Sequence, residues 1–388
     1  MTVPFYRHQL DESHAARMAQ VLSTPHLTYG SVARRVEEQI SNFFGSANVA
    51  LTNSWSAGAF AVFQSLGIGP GDEVIVPAMT FVASANIPLL CGATVKLVDV
   101  DPATLLLDPE KVSEAISPKT RAILCVHLYG QMCDMLALRR IADSHNLFLI
   151  EDAAHAFEAT RQNIIPAMLS DAAIFSFYAT KNINCGEGGA VVTRNNALYE
   201  TVCCFRQHGM SAGAADRFKN KYYQHWDVEG PGMKGSLPDI LATLLEPQID
   251  TCLARLEERD VLARRYRARL SELGIRFAQP LPDGRHAQHL FPIHVPAKVR
   301  DQVVADLNEA GIGCTVNYRA LQDLSLFKEQ SVDAPIAKEW GDGTLSLPLY
   351  PGLAHADQDR VMDVLTAVTA DYGEDMKPAL QAAGAGGT

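Results

Sequence analysis

One pattern constrains this chain more than any other. From residue 49 to residue 193, short runs of apolar, largely β-branched residues recur at 49–52, 73–77, 94–100, 121–127, 147–151, 172–177 and 189–193. Stretches with helical character lie between them, at 57–66, 82–90 and 134–144. Strands apolar on both faces, separated by helices, belong to a sheet buried between helical layers. The expected fold class is therefore α/β.

Beyond residue 245 the texture changes. Residues 249–273 form a long amphipathic segment rich in Arg and Glu, 288–295 reads as a strand, 298–310 as a helix ending at Gly311, and 356–369 as a last helix. This predicts a smaller α+β unit. A chain of 388 residues has room for two or three domains. The expected division is a large domain with an N-terminal arm at 1–245, a small domain at 246–372 and a disordered tail at 373–388.

The net charge of −11 leaves no basic excess to neutralise a phosphate backbone, so nucleic acid is not an expected partner. No apolar stretch approaches the ~20 residues that span a bilayer, and the first residues lack a secretory leader. The eight cysteines are scattered without paired spacing, as expected of reduced thiols in a cytoplasmic protein. Gly67-Ile68-Gly69 follows a helix and opens a strand, the reverse of a dinucleotide fingerprint. His286, His289 and His294 are the densest histidine group, but a strand would put His286 and His289 on opposite faces. No metal site is expected.

Two segments carry chemistry. Glu151-Asp152-Ala153-Ala154-His155-Ala156 puts two carboxylates at the C-terminal end of an apolar strand, where α/β folds hold ligands; alone, it reads equally as a site or a strand-end turn. In Ile174-Phe175-Ser176-Phe177-Tyr178-Ala179-Thr180-Lys181, a lysine follows a buried strand and precedes Gly186-Glu187-Gly188-Gly189. Burial there would depress the amine and free a neutral nucleophile for Schiff-base chemistry.

With these segments in place, the chain resembles the DegT/DnrJ/EryC1/StrS family of pyridoxal-phosphate (PLP) sugar aminotransferases, especially the UDP-4-amino-4-deoxy-L-arabinose transaminase subgroup. The matching blocks appear in family order: Pro77-Ala78-Met79-Thr80-Phe81, Gly92-Ala93-Thr94, Val98-Asp99-Val100-Asp101, the two segments above, His208-Gly209, His286 to Phe291, Gly311-Ile312-Gly313 and Leu347-Pro348-Leu349-Tyr350. The resemblance implies the aspartate-aminotransferase fold (fold type I), with a mixed, mostly parallel sheet in the large domain. It implies that Lys181 holds the cofactor and moves the reacting proton, and that Asp152 keeps the pyridine nitrogen protonated. Phe81 would cover the ring and His155 would lie by its 3-hydroxyl side. Ser56, the Ala57 backbone and Ser176 would bind the phosphate, with Ser236 reaching in from the second subunit of a homodimer with shared sites. Tyr29, Glu187, Asn317 and Tyr318 would face the substrate.

The implied reaction moves an amino group from L-glutamate to a nucleotide-diphosphate keto sugar, at C4 rather than C3. Another keto sugar, a cyclitol ketone, or a binding protein that has lost catalysis are the alternatives. Several residues depart from the family. Trp55 stands where a small residue is usual, Ser236 where Asn is usual, Gly235 where an aromatic often precedes it, Tyr178 for a common His, and Asn317 for the His of a His-Tyr pair. These changes bear on the substrate more than on the chemistry.

Overall fold

All seven apolar runs join one sheet. The computed structural model describes residues 2–210, 227–328 and 332–376. The strands are β1 (Asn48–Thr52), β2 (Glu73–Pro77), β3 (Thr94–Val98), β4 (Thr120–Val126), β5 (Phe148–Asp152), a two-residue β6 (Thr160–Arg161), β7 (Ala172–Ser176), β8 (Gly189–Thr193), β9 (Arg276–Phe277), β10 (Gly284–Arg285), β11 (Phe291–His294) and β12 (Thr344–Leu347). The large sheet has the order β1-β8-β7-β5-β4-β2-β3. Only β8 runs against its neighbours. The C-terminal ends of β2, β4, β5 and β7 therefore open on the same edge, where ligands bind in sheets of this kind.

Twelve helices surround the strands among the described residues: α1 (Glu12–Leu22), α2 (Ser31–Phe43), α3 (Trp55–Ser65), α4 (Ala83–Leu90), α5 (Pro109–Ala115), α6 (Met135–Ser144), α7 (Asn196–Phe205), α8 (Asp239–Ala242), α9 (Glu246–Leu273), α10 (Ala297–Glu309), α11 (Pro335–Gly343) and α12 (His355–Asp371). Successive residues of a strand face opposite sides, and the sheet uses both. In β7, Ala172 and Ile174 enter one core with Val62, Ile123 and Leu149, whereas Ala173 and Phe175 enter a second with Ile40, Phe44 and Leu51. A third core forms where α9, α10 and α12 cover the small sheet β12-β11-β9, with Tyr266, Ile293, Val303 and Leu345 inside.

The structure differs from the sequence expectations in places. The expected strand at 288–295 shrinks to β11, because the chain ahead of it bonds to the turn after β4: Ala287 N–H donates to the Gly130 carbonyl and His289 N–H to that of Tyr129. The cores ignore the 245 boundary at both ends. Val3 pairs with Ile312 and joins the third core, while Ala320, Leu321, Phe327 and Trp340 pack into the first. Residues 373–376 of the expected tail form one helical turn, and the rest lies outside the described residues. No helix among the described residues is long and apolar enough to cross a membrane.

Candidate active site

Asp152 ends β5 with its carboxylate buried at the open edge of the sheet. Oδ1 accepts the Ala154 N–H (3.1 Å) and Oδ2 accepts the Ser84 hydroxyl (2.8 Å). The first turn of α4 brings Ser84 there, and Thr80 Oγ1 lies 3.0 Å behind the Ser84 hydroxyl. Burial pushes the Asp152 carboxyl up, opposed by these two hydrogen bonds and by the Lys181 charge. No ion pair involves Asp152 among the described residues. A buried carboxylate in this state favours an incoming cation.

Lys181 sits in the turn after β7. The turn is closed by Phe177 N–H to the Gly188 carbonyl, Cys185 N–H to that of Phe177 and Lys181 N–H to that of Tyr178. Burial pulls the Lys181 amine down to about 8, while the Asp152 carboxylate pulls the other way. The result is an amine with an appreciable neutral fraction, the form that attacks carbonyl carbons.

His155 follows Asp152 by three residues. Its Nδ1 accepts the Tyr129 N–H (3.1 Å), so in the neutral ring the proton sits on Nε2. Nε2 lies 3.3 Å from the Tyr318 hydroxyl. The His289 ring packs at 4.3 Å between centroids, and its Nδ1 is 3.2 Å from Asn182 Oδ1. Burial, with the Lys181 charge adding to it, drives both imidazoles well below their ordinary range. Both are neutral at pH 7.

The start of α3 completes the site. Ser54 is the N-cap, and its hydroxyl accepts the Ala57 N–H (3.1 Å). The Trp55 and Ser56 amides open the helix and have no intrahelical acceptor, an arrangement suited to a dianion. Trp55 is accommodated by burial, its indole N–H donating to the Ile174 carbonyl (3.1 Å). Gly189 lets β8 pass under this turn: a Cβ there would lie 2.7 Å from Ser54 C and O and from Trp55 N. That close approach explains one glycine of the Gly-Glu-Gly-Gly run.

These elements enclose a cavity of about 560 Å³. Ser56, Phe81, Asp152, His155, Ser176, Lys181, Glu187, Asn317 and Tyr318 all line it, so most residues expected from sequence come together. Three do not. Ala57 is buried with its N–H already taken by Ser54. The Tyr29 hydroxyl donates to Glu37 (2.7 Å) and accepts from Arg206 (3.1 Å), in a buried cluster where Arg206 also pairs with Glu37. Ser236 is buried, with its hydroxyl donating to the Arg206 carbonyl (3.2 Å), and lines no part of its own chain's cavity. Conversely, sequence reading overlooked Thr80, Ser84, Tyr129, His289 and the arm residues Phe5 and Tyr6. Thr80 and His289 carried a signal, each as part of a block shared with the family.

A second buried group brings Cys125, His127 and Cys133 together. Its imidazole has no free nitrogen: Nε2 bonds Glu151 (2.6 Å) and Nδ1 accepts the Cys133 N–H (3.2 Å). Both thiols donate to carbonyls, of Ile150 and Val126. All eight cysteines are free.

The main cavity thus offers an amine, a buried carboxylate lacking a cation, an exposed aromatic ring in Phe81, and a helix start flanked by the Ser56 and Ser176 hydroxyls. That donor set fits an aldehyde on a protonated heterocycle bearing a phosphate.

Comparison with known proteins agrees. The profile of the DegT/DnrJ/EryC1/StrS aminotransferase family matches residues 8–366. The spore coat polysaccharide biosynthesis protein SpsC of Bacillus subtilis is 33% identical over 373 residues, 94% of this chain and 96% of SpsC. The structure of S. venezuelae DesV in complex with a ketimine intermediate is similar at a TM-score of 0.86 and 32% identity, covering 94% of this chain and 98% of that one. NtdA of Bacillus subtilis with bound cofactor PMP has a TM-score of 0.83 and 30% identity, covering 95% and 85%. This chain, with its lysine and buried aspartate at the open edge of a fold-type-I sheet, belongs to the DegT/DnrJ/EryC1/StrS aminotransferase family and is a PLP-dependent aminotransferase.

Proposed function

We propose that the protein aminates a keto sugar carried on a nucleoside diphosphate, at C4 in preference to C3, with L-glutamate as the amino donor. The observation that carries this reading is the depressed Lys181 amine set opposite Asp152 in one roomy cavity. A volume of about 560 Å³ lies within the ~300–1,000 Å³ typical of small-molecule sites. Asn317 Oδ1 is buried without a protein partner and belongs to a residue lining this cavity, where a sugar hydroxyl could donate to it. The name of SpsC links that relative to polysaccharide biosynthesis.

Bound here, PLP supplies an electron sink for the carbanion formed next to the amine. The chain does the rest. Asp152 would hold the proton on the ring nitrogen, and Phe81 would cover one ring face. The amides of Trp55 and Ser56, with the Ser56 and Ser176 hydroxyls, hold the phosphate. His155 presents Nε2–H toward Tyr318 and would stand on the side of the ring hydroxyl. Lys181 Nζ would hold the cofactor's aldehyde carbon and, when free, would move a proton at the substrate carbon. Glu187, Asn317 and Tyr318 contact the substrate. Ser236 lies away from its own cavity, which suits a role in a second copy's site within a cytoplasmic homodimer. Residues 1–245 form the cofactor domain and 246–372 the smaller domain in this reading.

The test pairs a variant with a substrate panel. Lys181→Ala abolishes turnover and the visible absorbance of the cofactor–lysine link; retained turnover refutes the assignment. Nucleotide-linked 3-keto and 4-keto sugars, offered with glutamate and scored by mass, gain an amine fastest at C4. A free keto sugar or cyclitol ketone winning that panel overturns the nucleotide reading.

A further inference from the structure

Behind the aspartate stands a chain of hydroxyls. Thr80 Oγ1, Ser84 Oγ and Asp152 Oδ2 follow one another at 3.0 and 2.8 Å. Thr80 and Ser84 are 1% and 0% exposed, so neither hydroxyl can exchange its partner for bulk water. The chain also has a direction. An ionised carboxylate only accepts, so Ser84 must donate to Asp152. Ser84 has one proton, so its bond with Thr80 is one in which Thr80 donates. Two hydroxyl dipoles then point at a single carboxylate oxygen, and the other oxygen is held by the Ala154 amide. Thr80 sits before α4 and Ser84 in its first turn. One short segment carries both hydroxyls, and it also carries Phe81.

We infer that Thr80 and Ser84 are positioning residues which keep Asp152 ionised and aimed at the cofactor's ring nitrogen. The inference rests on the reading of Asp152 as that nitrogen's partner. The physical need is plain. Burial pushes this carboxyl toward its protonated form, and a neutral acid cannot hold a cationic ring. Hydrogen bonds donated to the charged form counter burial without placing a second cation beside the heterocycle. The titratable groups facing the carboxylate are Lys181, His127, Tyr318 and Cys125. None donates a hydrogen bond to it: the Lys181 and His127 charges act through space, and the hydroxyl chain and the Ala154 amide supply its direct bonds.

The experiment compares PLP-loaded Ser84→Ala, Thr80→Val, Thr80→Ser and Asp152→Asn enzymes. When the ring nitrogen keeps its proton less well, the ring draws fewer electrons from the nitrogen linking it to Lys181. That nitrogen then holds its own proton to higher pH. Ser84→Ala therefore moves the pH midpoint of the visible band up by about one unit, and lowers kcat about tenfold with little change in the glutamate KM. Thr80→Val, nearly isosteric, moves both in the same direction by less. Thr80→Ser, which restores the donor, returns toward wild type. If Ser84→Ala and Thr80→Val leave band and kcat unchanged while Asp152→Asn disturbs both, the hydroxyl chain is only packing and the inference fails alone. If Asp152→Asn also leaves both unchanged, the reading of Asp152 fails with it. Thr80→Ser behaving like Thr80→Val likewise overturns the relay.

Discussion

The Lys181 amine offers the sharpest quantitative test, made on the cofactor-free protein where the amine is unlinked. Burial lowers it from an ordinary 10.5 to about 8. At pH 7 that leaves roughly one molecule in ten with a neutral amine, against about three in ten thousand for a free lysine, a gain near 300-fold. The Asp152 carboxylate works against the shift, so Asp152→Asn removes a brake. A nearby opposite charge is worth about one unit or more. The midpoint in that variant falls to about 7, and roughly half the amines are neutral at pH 7. Trace acylation with an amine-selective reagent, read by peptide mass at position 181 from pH 5 to 11, measures this directly, with exposed Lys298 as internal standard. Only the neutral amine reacts, so labelling rises with pH and levels off above the midpoint. A wild-type midpoint near 10, or one that rises in Asp152→Asn, would refute the electrostatic argument.

Two further predictions probe the scaffold. Gly189→Ala sets a methyl against the backbone of Ser54 and Trp55 and shifts the start of α3. Overpacking of about 1–3 kcal/mol weakens cofactor binding about tenfold in an absorbance titration, and unaltered affinity would dissociate α3 from phosphate binding. Tyr29→Phe removes one bond to Glu37 and one from Arg206, lowering stability by roughly 1–3 kcal/mol in urea denaturation, with kcat and KM within about twofold of wild type. A rise in the sugar KM without a loss of stability would restore Tyr29 to the substrate side.

The sheet was legible because its strands are buried on both faces, which writes each as a continuous apolar run. Lys181 and Asp152 were legible because each directly follows or ends such a run. Ser84 was not. It reaches Asp152 across 68 residues, and a serine in the first turn of a helix looks locally like a capping or solvated residue. Tyr29 misled for the converse reason. Nothing beside it in sequence reveals that Glu37 and Arg206 close around its hydroxyl. Ala57 misled by a single helical position, since the hydroxyl that caps α3 belongs to Ser54 and consumes the Ala57 amide. The strand expected at 288–295 failed because Ala287 and His289 spend their amides on the turn after β4 rather than on a neighbouring strand.

That turn also ties the sheet side of the cavity to its loop side. Tyr129, in a left-handed conformation at φ 59°, sends its N–H to His155, accepts the His289 N–H at its carbonyl, and donates its hydroxyl to the Asn317 carbonyl (2.6 Å). Lys181, Asp152 and His155 stand on or beside strands of the large sheet, whose spacing a substitution on the surface does not change. The remaining walls come from elsewhere: Phe5 and Tyr6 from the arm, Thr315, Asn317 and Tyr318 from the loop behind α10. Departures from the family at Asn317 and Tyr178 fall among the residues lining the cavity. On the proposed function, they alter which ketone fits while the distance from amine to carboxylate stays the same. Tyr129 is the joint between the two sets, so loss of its hydroxyl loosens the wall at Asn317 without touching the amide that fixes the His155 tautomer.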